Sequence, residues 1–129
     1  MSSETRDARI IKMHNLKELK IWHKAIDMAT DVYRLTIDFP KEEKYGLTSQ
    51  IRRAAISVPS NIAEGAGRNT DKEFNHFQGI SNGSAYELQT QLIISKNLDL
   101  VDARVEQILD EINQIQKMIY SLQNKLTSD

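Results

Sequence analysis

Three histidines are the first residues to consider for chemistry, because imidazole is both a general base and a metal ligand. His14, His23 and His76 stand far apart and show no metal-binding spacing such as His-Glu-x-x-His. A single Glu-x-x-His occurs, at residues 73–76, whereas a di-iron helical bundle requires two. His23 lies four residues before Asp27, and on a helix this spacing predicts a surface ion pair. The histidines therefore predict no metal site.

Ser81 lies in the stretch Gly-Ile-Ser-Asn-Gly, which matches the G-x-S-x-G pattern of a hydrolase nucleophile. That nucleophile needs a strand before the serine and a histidine later in the chain. Here the surrounding residues have a helical pattern, and no histidine follows residue 81. We therefore expect no catalytic residue and no cofactor, and we predict that the protein is not an enzyme.

Composition narrows the class of protein further. The 129 residues contain no cysteine, which excludes disulfide bonds and thiolate metal sites. The N-terminal stretch MSSETRDARIIKMHN lacks the apolar region of a signal peptide, and no stretch has the roughly 20 apolar residues of a membrane span. These features predict a cytoplasmic protein with no membrane partner. The net charge of −1 divides into +3 for residues 1–70 (12 Lys/Arg, 9 Asp/Glu) and −4 for residues 71–129 (5 and 9), which can aid self-association.

Apolar residues at helical spacing predict a first helix from Leu16 to the Phe39–Pro40 pair, since the residue before proline avoids the α conformation. The apolar face of this helix is wide. Its main part consists of Trp22, Ala25, Ile26, Ala29, Val32, Tyr33 and Thr36, and a second stripe of Ile21, Met28 and Leu35 repeats every seven residues. Two explanations stay open: the stripe contacts a second helix of the same bundle, or it contacts another subunit.

The second predicted helix, residues 47–66, contains Pro59. Its apolar positions keep one register across the proline, which favours a single kinked helix over two separate helices. A third helix opens with the capping-box pair Thr70 and Glu73, and its internal Gly79 and Gly83 predict a close approach of another backbone. The fourth helix has a bundle seam: Val105, Ile108, Ile112, Ile115, Ile119, Leu122 and Leu126.

Four helices with short connections and no strand pattern predict an all-α fold, an antiparallel up-down-up-down four-helix bundle with helix 2 kinked at Pro59. The predicted bundle covers residues 16–126. It is preceded by a flexible arm at residues 1–15 and followed by a tail at residues 127–129.

The segment YGLTSQIRRAAISVPSNIAEGAGR, with LKELKIWHKAIDMATDVYRLTIDFP before it and KEFNHFQGISNGSAYELQTQL after it, resembles the proteins encoded in 23S ribosomal RNA intervening sequences. These are also called S23-type four-helix bundle proteins, and they include the accessory variability protein of diversity-generating retroelements. The resemblance covers residues 16–126. It implies a four-helix bundle that assembles as a homopentamer. In the retroelement branch it also implies a basic surface that binds nucleic acid and a partner reverse transcriptase.

Two functions stay open. The first is a homo-oligomeric scaffold, in which the stripe of helix 1 and the outward face of helix 2 form the subunit interface. That outward face is a lane of small hydroxyls between an arginine and a glutamate, which permits close approach by a partner. The predicted interface residues are Ile21, Met28, Leu35, Arg53, Ser57, Ser60 and Glu64.

The second function is a nucleic-acid-binding accessory protein that works with RNA or DNA and a reverse transcriptase. Phosphate binding of this kind depends on lysine and arginine. The candidate residues lie at the two ends of helix 2 and in the adjacent turns: Lys41, Lys44, Arg52, Arg53, Arg68 and Lys72. Of the paired arginines, Arg53 lies on the small-residue lane and Arg52 on the flank, so Arg52 is the one expected to meet a phosphate.

Overall fold

The computed structural model describes residues 13–128, and within that range the chain forms helices and turns but no strand. Four long helices make up the fold: α1 (Lys20–Thr36), α2 (Leu47–Ala66), α3 (Asp71–Asn97) and α4 (Arg104–Thr127). The 3-10 turns Leu16–Glu18 and Lys41–Glu43 precede α1 and α2. The all-helical prediction is confirmed. Most of the predicted arm, residues 1–12, and the last residue of the predicted tail lie outside the described range.

A side-chain cap and a backbone cap set the two ends of α3, whereas α1 is shorter than the predicted helix from Leu16 to Phe39–Pro40. Thr70 Oγ1 accepts a hydrogen bond from the Glu73 backbone N–H at 3.1 Å, so the predicted capping box starts α3. At the other end, Asp99 has a left-handed backbone (φ 57°), and the N–H of Leu100 donates to the Ser95 carbonyl at 2.9 Å. This pattern satisfies carbonyls of the last turn and ends α3 before the short connection to α4.

One apolar core joins the four helices, since α1 and α3 make their main contacts with α2 and α4. All seven seam residues predicted for α4 are buried. Five of them belong to this core, and Leu122 and Leu126 belong to a second apolar cluster. α2 runs unbroken through Pro59, which is itself buried, so the prediction of one continuous helix is confirmed. Because each helix packs against two others, its apolar arc must cover two contact directions.

That requirement decides between the two explanations for the wide face of α1. Ile21, Met28 and Leu35 are only 5%, 0% and 2% exposed, and they belong to the core of this chain. Their assignment to a subunit interface is therefore wrong, because nothing outside the chain can reach them. The explanation in which a second helix of the same bundle covers the stripe is confirmed.

The close backbone approach occurs at Gly65, not at the glycines of α3. A Cβ added at Gly65 would lie 2.8 Å from Gln78 Nε2 and 3.0 Å from the Phe74 carbonyl oxygen, so α2 and α3 meet there without room for a side chain. A Cβ at Gly83 would meet no described atom within 4 Å, and at Gly79 only the flexible end of Gln123, 3.6 Å away. The prediction for Gly79 and Gly83 is wrong.

Candidate functional surfaces

The side chains that suggested catalysis have structural partners instead. Ser81 lies inside α3, is buried, and donates a hydrogen bond to the Val58 carbonyl at 2.8 Å. His23 Nε2 lies 3.0 Å from the Lys17 carbonyl, so the predicted ion pair with Asp27 is wrong. Within residues 13–128 no group of three or more His, Cys, Asp or Glu side chains could hold a metal ion. No helix in the same range is long and apolar enough to cross a membrane.

Arg52 is bound within the chain. From α2 it donates to the hydroxyl of Thr36 at 2.8 Å and to the Tyr33 carbonyl at 3.3 Å, and its guanidinium lies 4.6 Å from the centre of the Tyr33 ring. A cation at the C-terminal end of a helix is stabilised by the partial negative charge of the last carbonyls. Arg52 therefore secures the end of α1, so part of its guanidinium is already engaged within the chain.

Arg53 is the free member of the arginine pair. It is exposed and makes no hydrogen bond or ion pair within the described range. Lys41 and Lys44 are also exposed, but their turn contains Glu42 and Glu43, which balance their charge. Lys44 lies 5.4 Å from the centre of the Tyr45 ring. The N-terminal end of α2 thus presents one uncompensated cation, Arg53.

Arg68 and Lys72 lie at the opposite end of α2. Arg68, in the turn after α2, pairs with Glu64 of α2 at 2.6 Å, and its guanidinium lies 4.7 Å from the centre of the Phe77 ring. Lys72 is exposed between Asp71 and Glu73 in the first turn of α3. Arg53 lies 13 residues before Ala66, the last residue of α2. At about 1.5 Å of rise per residue, roughly 20 Å of helix separates Arg53 from that end. The predicted nucleic-acid residues form two separate groups.

The small-residue lane of α2 is divided between the inside and the outside of the chain. Ser57 lies 2.7 Å from Ser84 of α3, oxygen to oxygen, and accepts from Asn61 at 2.9 Å. It is therefore part of the α2–α3 contact, and it is half-buried. Ser60 and Glu64 remain exposed and line a shallow, open depression. Of the seven predicted interface residues, Arg53, Ser60 and Glu64 are exposed, Ser57 is half-buried, and the three of α1 are buried.

An apolar groove that the sequence analysis missed runs between α1 and α2. We call it the α1–α2 groove; its lining residues are Ile26, Ala29, Thr30, Tyr33, Ile56 and Pro59. Ile26 and Tyr33 are each 37% exposed and Ile56 is 46% exposed. The sequence pattern predicted Ile26 and Tyr33 as core residues of helix 1. Ile56, in contrast, does not lie on the predicted core face of helix 2. A large apolar side chain on the outward face of α2 was the available signal.

A second exposed apolar surface lies along α3 and α4. Gln116 of α4 donates to Gln89 of α3 at 2.8 Å, which places these side chains on the facing flanks of the two helices. Residues three or four positions away share the same flank. Three exposed residues, Tyr86, Ile93 and Tyr120, meet this condition and define what we call the α3–α4 surface.

The start of α4 carries a compact charge cluster. Arg104 contacts both carboxylate oxygens of Asp102, at 2.9 and 3.0 Å from Nε, and lies 3.5 Å from Asp38. The Arg104 side chain, and secondly its backbone N–H, hold the pKa of Asp102 below its ordinary value. With the neighbouring Asp31–Arg34 pair, this end of α1 and the start of α4 hold three carboxylates and two arginines. The carboxylates balance the charge of both arginines, so the cluster offers no free cation to an anion.

Comparison with known proteins adds three findings. The sequence matches the family model of the 23S rRNA-intervening sequence proteins over residues 17–121. No protein of curated function matches it. The chain is similar to a crystal structure, at 1.70 Å resolution, of a protein of unknown function from the S23 ribosomal protein family of Bacteroides thetaiotaomicron. That likeness has a TM-score of 0.72 at 18% sequence identity and covers 84% of this chain and 99% of the other, so it bears on the fold alone.

Proposed function

Because the chain belongs to the family of 23S rRNA-intervening sequence proteins, as its sequence resemblance indicated, we propose that it is a non-enzymatic cytoplasmic scaffold that assembles with copies of itself. The observation that carries the proposal is the pair of exposed apolar surfaces on one small chain. Ile56 and Tyr120 are large apolar side chains that remain exposed, and groups of such side chains mark interaction sites.

The architecture we propose for the subunit is an antiparallel up-down-up-down bundle in which Pro59 kinks α2. The antiparallel arrangement is supported by pairs of neighbouring residues: as the residue number rises along one helix, the number of its neighbour on the next helix falls. For α1 and α2 these are Thr36–Arg52 and Ile26–Pro59; for α2 and α3, Ser57–Ser84 and Gly65–Phe74; for α3 and α4, Gln89–Gln116 and Lys96–Glu106. The kink is supported by the hydrogen bond that a proline cannot donate to the carbonyl four residues earlier.

The position of the two surfaces favours head-to-tail assembly. Each helix contacts mainly the helices before and after it, and α1 also contacts α4, so the four helices stand at the corners of a square. The α1–α2 groove and the α3–α4 surface therefore lie on opposite sides of the bundle. A two-fold dimer pairs one surface with itself, whereas a ring joins two different surfaces on each subunit. Rings with an odd number of subunits need this second kind of contact. The particular number five rests on the family resemblance.

Charge supports the same pairing. The part of the sequence that contains α1 and α2, residues 1–70, carries +3, and the part that contains α3 and α4 carries −4. If the α1–α2 groove of one copy receives the α3–α4 surface of another copy, parts of opposite charge come together. This charge difference favours a second copy as the partner, in this orientation. Arg53 is exposed on the outward face of α2 and is available for such a contact.

Light scattering on the purified protein tests the proposal. A mass that is a multiple of the subunit mass of 14.8 kDa supports the scaffold. A single-subunit mass at micromolar concentration refutes it.

A second candidate function is a nucleic-acid-binding accessory protein with a reverse transcriptase as its partner. The exposed Arg53, which has no compensating charge within the described range, favours it. The candidate cations of one subunit are divided between the two ends of α2, so several copies of Arg53 come together only if subunits assemble. A filter-binding titration with single-stranded RNA near 50 and 200 mM salt tests this function. Affinity should fall steeply with salt, and no binding at the lower salt concentration would exclude it.

A further inference from the structure

His14 joins the N-terminal segment to the turn between α2 and α3. Its Nδ1 lies 3.1 Å from the Ala66 carbonyl oxygen at the end of α2, and its Nε2 lies 2.9 Å from Asp71 Oδ1 at the start of α3. The edge of the ring packs against Phe74, with 4.7 Å between ring centres. The side chain is only 18% exposed. His14 thus packs against the bundle, although the sequence placed it in the arm at residues 1–15.

Both partners of the imidazole are hydrogen-bond acceptors. A backbone carbonyl accepts only, and an ionised carboxylate accepts only. A neutral imidazole has one N–H and can donate to one of them, whereas the protonated ring donates to both. The C-terminal end of α2 also carries partial negative charge, which favours a cation at this position. The geometry thus fits the protonated ring.

The titratable groups beside residues 13–19 include His23 of α1, whose Nε2 lies 3.0 Å from the Lys17 carbonyl. Asp71 on α3 is the one charged side chain, within the described range, that forms an ion pair with the ring. Lys20 of α1 and Lys125 of α4 line a groove beside Met13, and neither forms a hydrogen bond or an ion pair with His14. Carboxylates stay ionised and lysines stay protonated between pH 5.5 and 8.5. A histidine is the side chain whose charge ordinarily changes in that interval.

We infer that His14 is a pH-dependent latch that holds residues 13–19 against the α2–α3 turn when the ring is protonated and loosens them when the ring is neutral. The latch carries Met13 with it. Met13 is buried in a separate apolar cluster with Ala66, Phe74, Leu122 and Leu126, which closes one end of the bundle. Raising the pH removes one of the two hydrogen bonds and the charge attraction to Asp71, so that this end of the bundle opens more often.

Amide hydrogen exchange of the full-length protein at pH 5.5 and 8.5 tests the latch. Protection factors are calculated against the intrinsic exchange rate at each pH, and residues 13–19 are compared with α4. We expect protection of residues 13–19 to fall on the order of tenfold at the higher pH, because a hydrogen bond to a charged group is lost. Protection of α4 should stay the same.

Two variants make the test specific. His14→Gln should give at both pH values the weak protection that the natural protein has at pH 8.5. His23→Gln removes the other histidine that contacts this segment, through the Lys17 carbonyl, and the fall in protection with pH should persist in it. Protection of residues 13–19 that does not change with pH in the natural protein would overturn the inference, and so would a fall that persists in His14→Gln.

Discussion

Arg52 of α2 donates a 2.8 Å hydrogen bond to the hydroxyl of Thr36 in the last turn of α1. The same hydroxyl donates to the Val32 carbonyl at 2.9 Å, so a single buried oxygen links the side chain of one helix to the backbone of another. The neighbouring Arg53 makes no such bond within the described residues. Two adjacent arginines in the sequence therefore have different functions: Arg52 joins two helices, and Arg53 is available to a partner.

Arg52→Ala should lower the free energy of unfolding by about 1–2 kcal/mol, because it removes two hydrogen bonds at a helix end and the contact with the Tyr33 ring. Arg53→Ala should change the unfolding free energy by less than about 0.5 kcal/mol, as for other exposed positions. Urea unfolding of the two variants at equal protein concentration measures the difference. An equal effect of both substitutions would contradict the division of function.

Gly65→Ala should destabilise the protein by about 1–3 kcal/mol, because the new Cβ would lie within 3.0 Å of the Phe74 backbone and force α2 and α3 apart. Gly83→Ala is the matched control. Its Cβ meets open space among the described residues, so it should stabilise α3 by up to about 1 kcal/mol through helix propensity alone. Thermal unfolding of both variants should show opposite shifts, and a stabilising Gly65→Ala would disprove the close approach.

The Asp102 carboxyl should titrate below the ordinary range of an aspartate, since Arg104 holds its pKa down. A lowered pKa in the folded state means that this interaction stabilises the protein above the unfolded-state pKa. The contribution is lost as pH falls through the lower, folded-state pKa. NMR titration of the Asp102 carboxyl carbon measures this pKa. Arg104→Gln should raise the midpoint only partway, because the backbone N–H of residue 104 still donates to Asp102.

Local patterns in the sequence were sufficient to predict the helices and most of the core. The seam of α4 and the register of α2 across Pro59 follow from side-chain spacing within one helix, which does not depend on the neighbours. The capping box at Thr70 is equally local. Such features depend on residues three or four positions apart, and the chain alone determines them.

The errors concern relations between helices. The spacing of Met28 reveals an apolar arc but not which helix covers it, so its assignment to another subunit was wrong. Arg52 lies on a flank of α2, and only the arrival of α1 beside that flank gives it a partner. Gly65 and Gly83 look alike in sequence, yet only Gly65 lies where another helix crosses. Such relations depend on tertiary packing, which periodicity does not encode.

The α1–α2 groove can be tested by a matched pair of substitutions. Ile56 lies in the groove and is 46% exposed, whereas Ile94 lies outside both proposed surfaces and is 44% exposed. Ile56→Glu buries a charge if the groove is an interface, and should shift the assembly toward single subunits. Ile94→Glu adds the same charge to solvent and should leave the assembly intact. Equal effects would show that the groove is not the contact.

The central claim is that this chain assembles through two different surfaces, and the molar mass in solution tests it most directly. Size-exclusion chromatography with multi-angle light scattering should give one species of several subunits at micromolar concentration, about five if the family resemblance holds. The subunit mass for reference is 14.8 kDa. A single species at the subunit mass, across the micromolar range, would contradict the account.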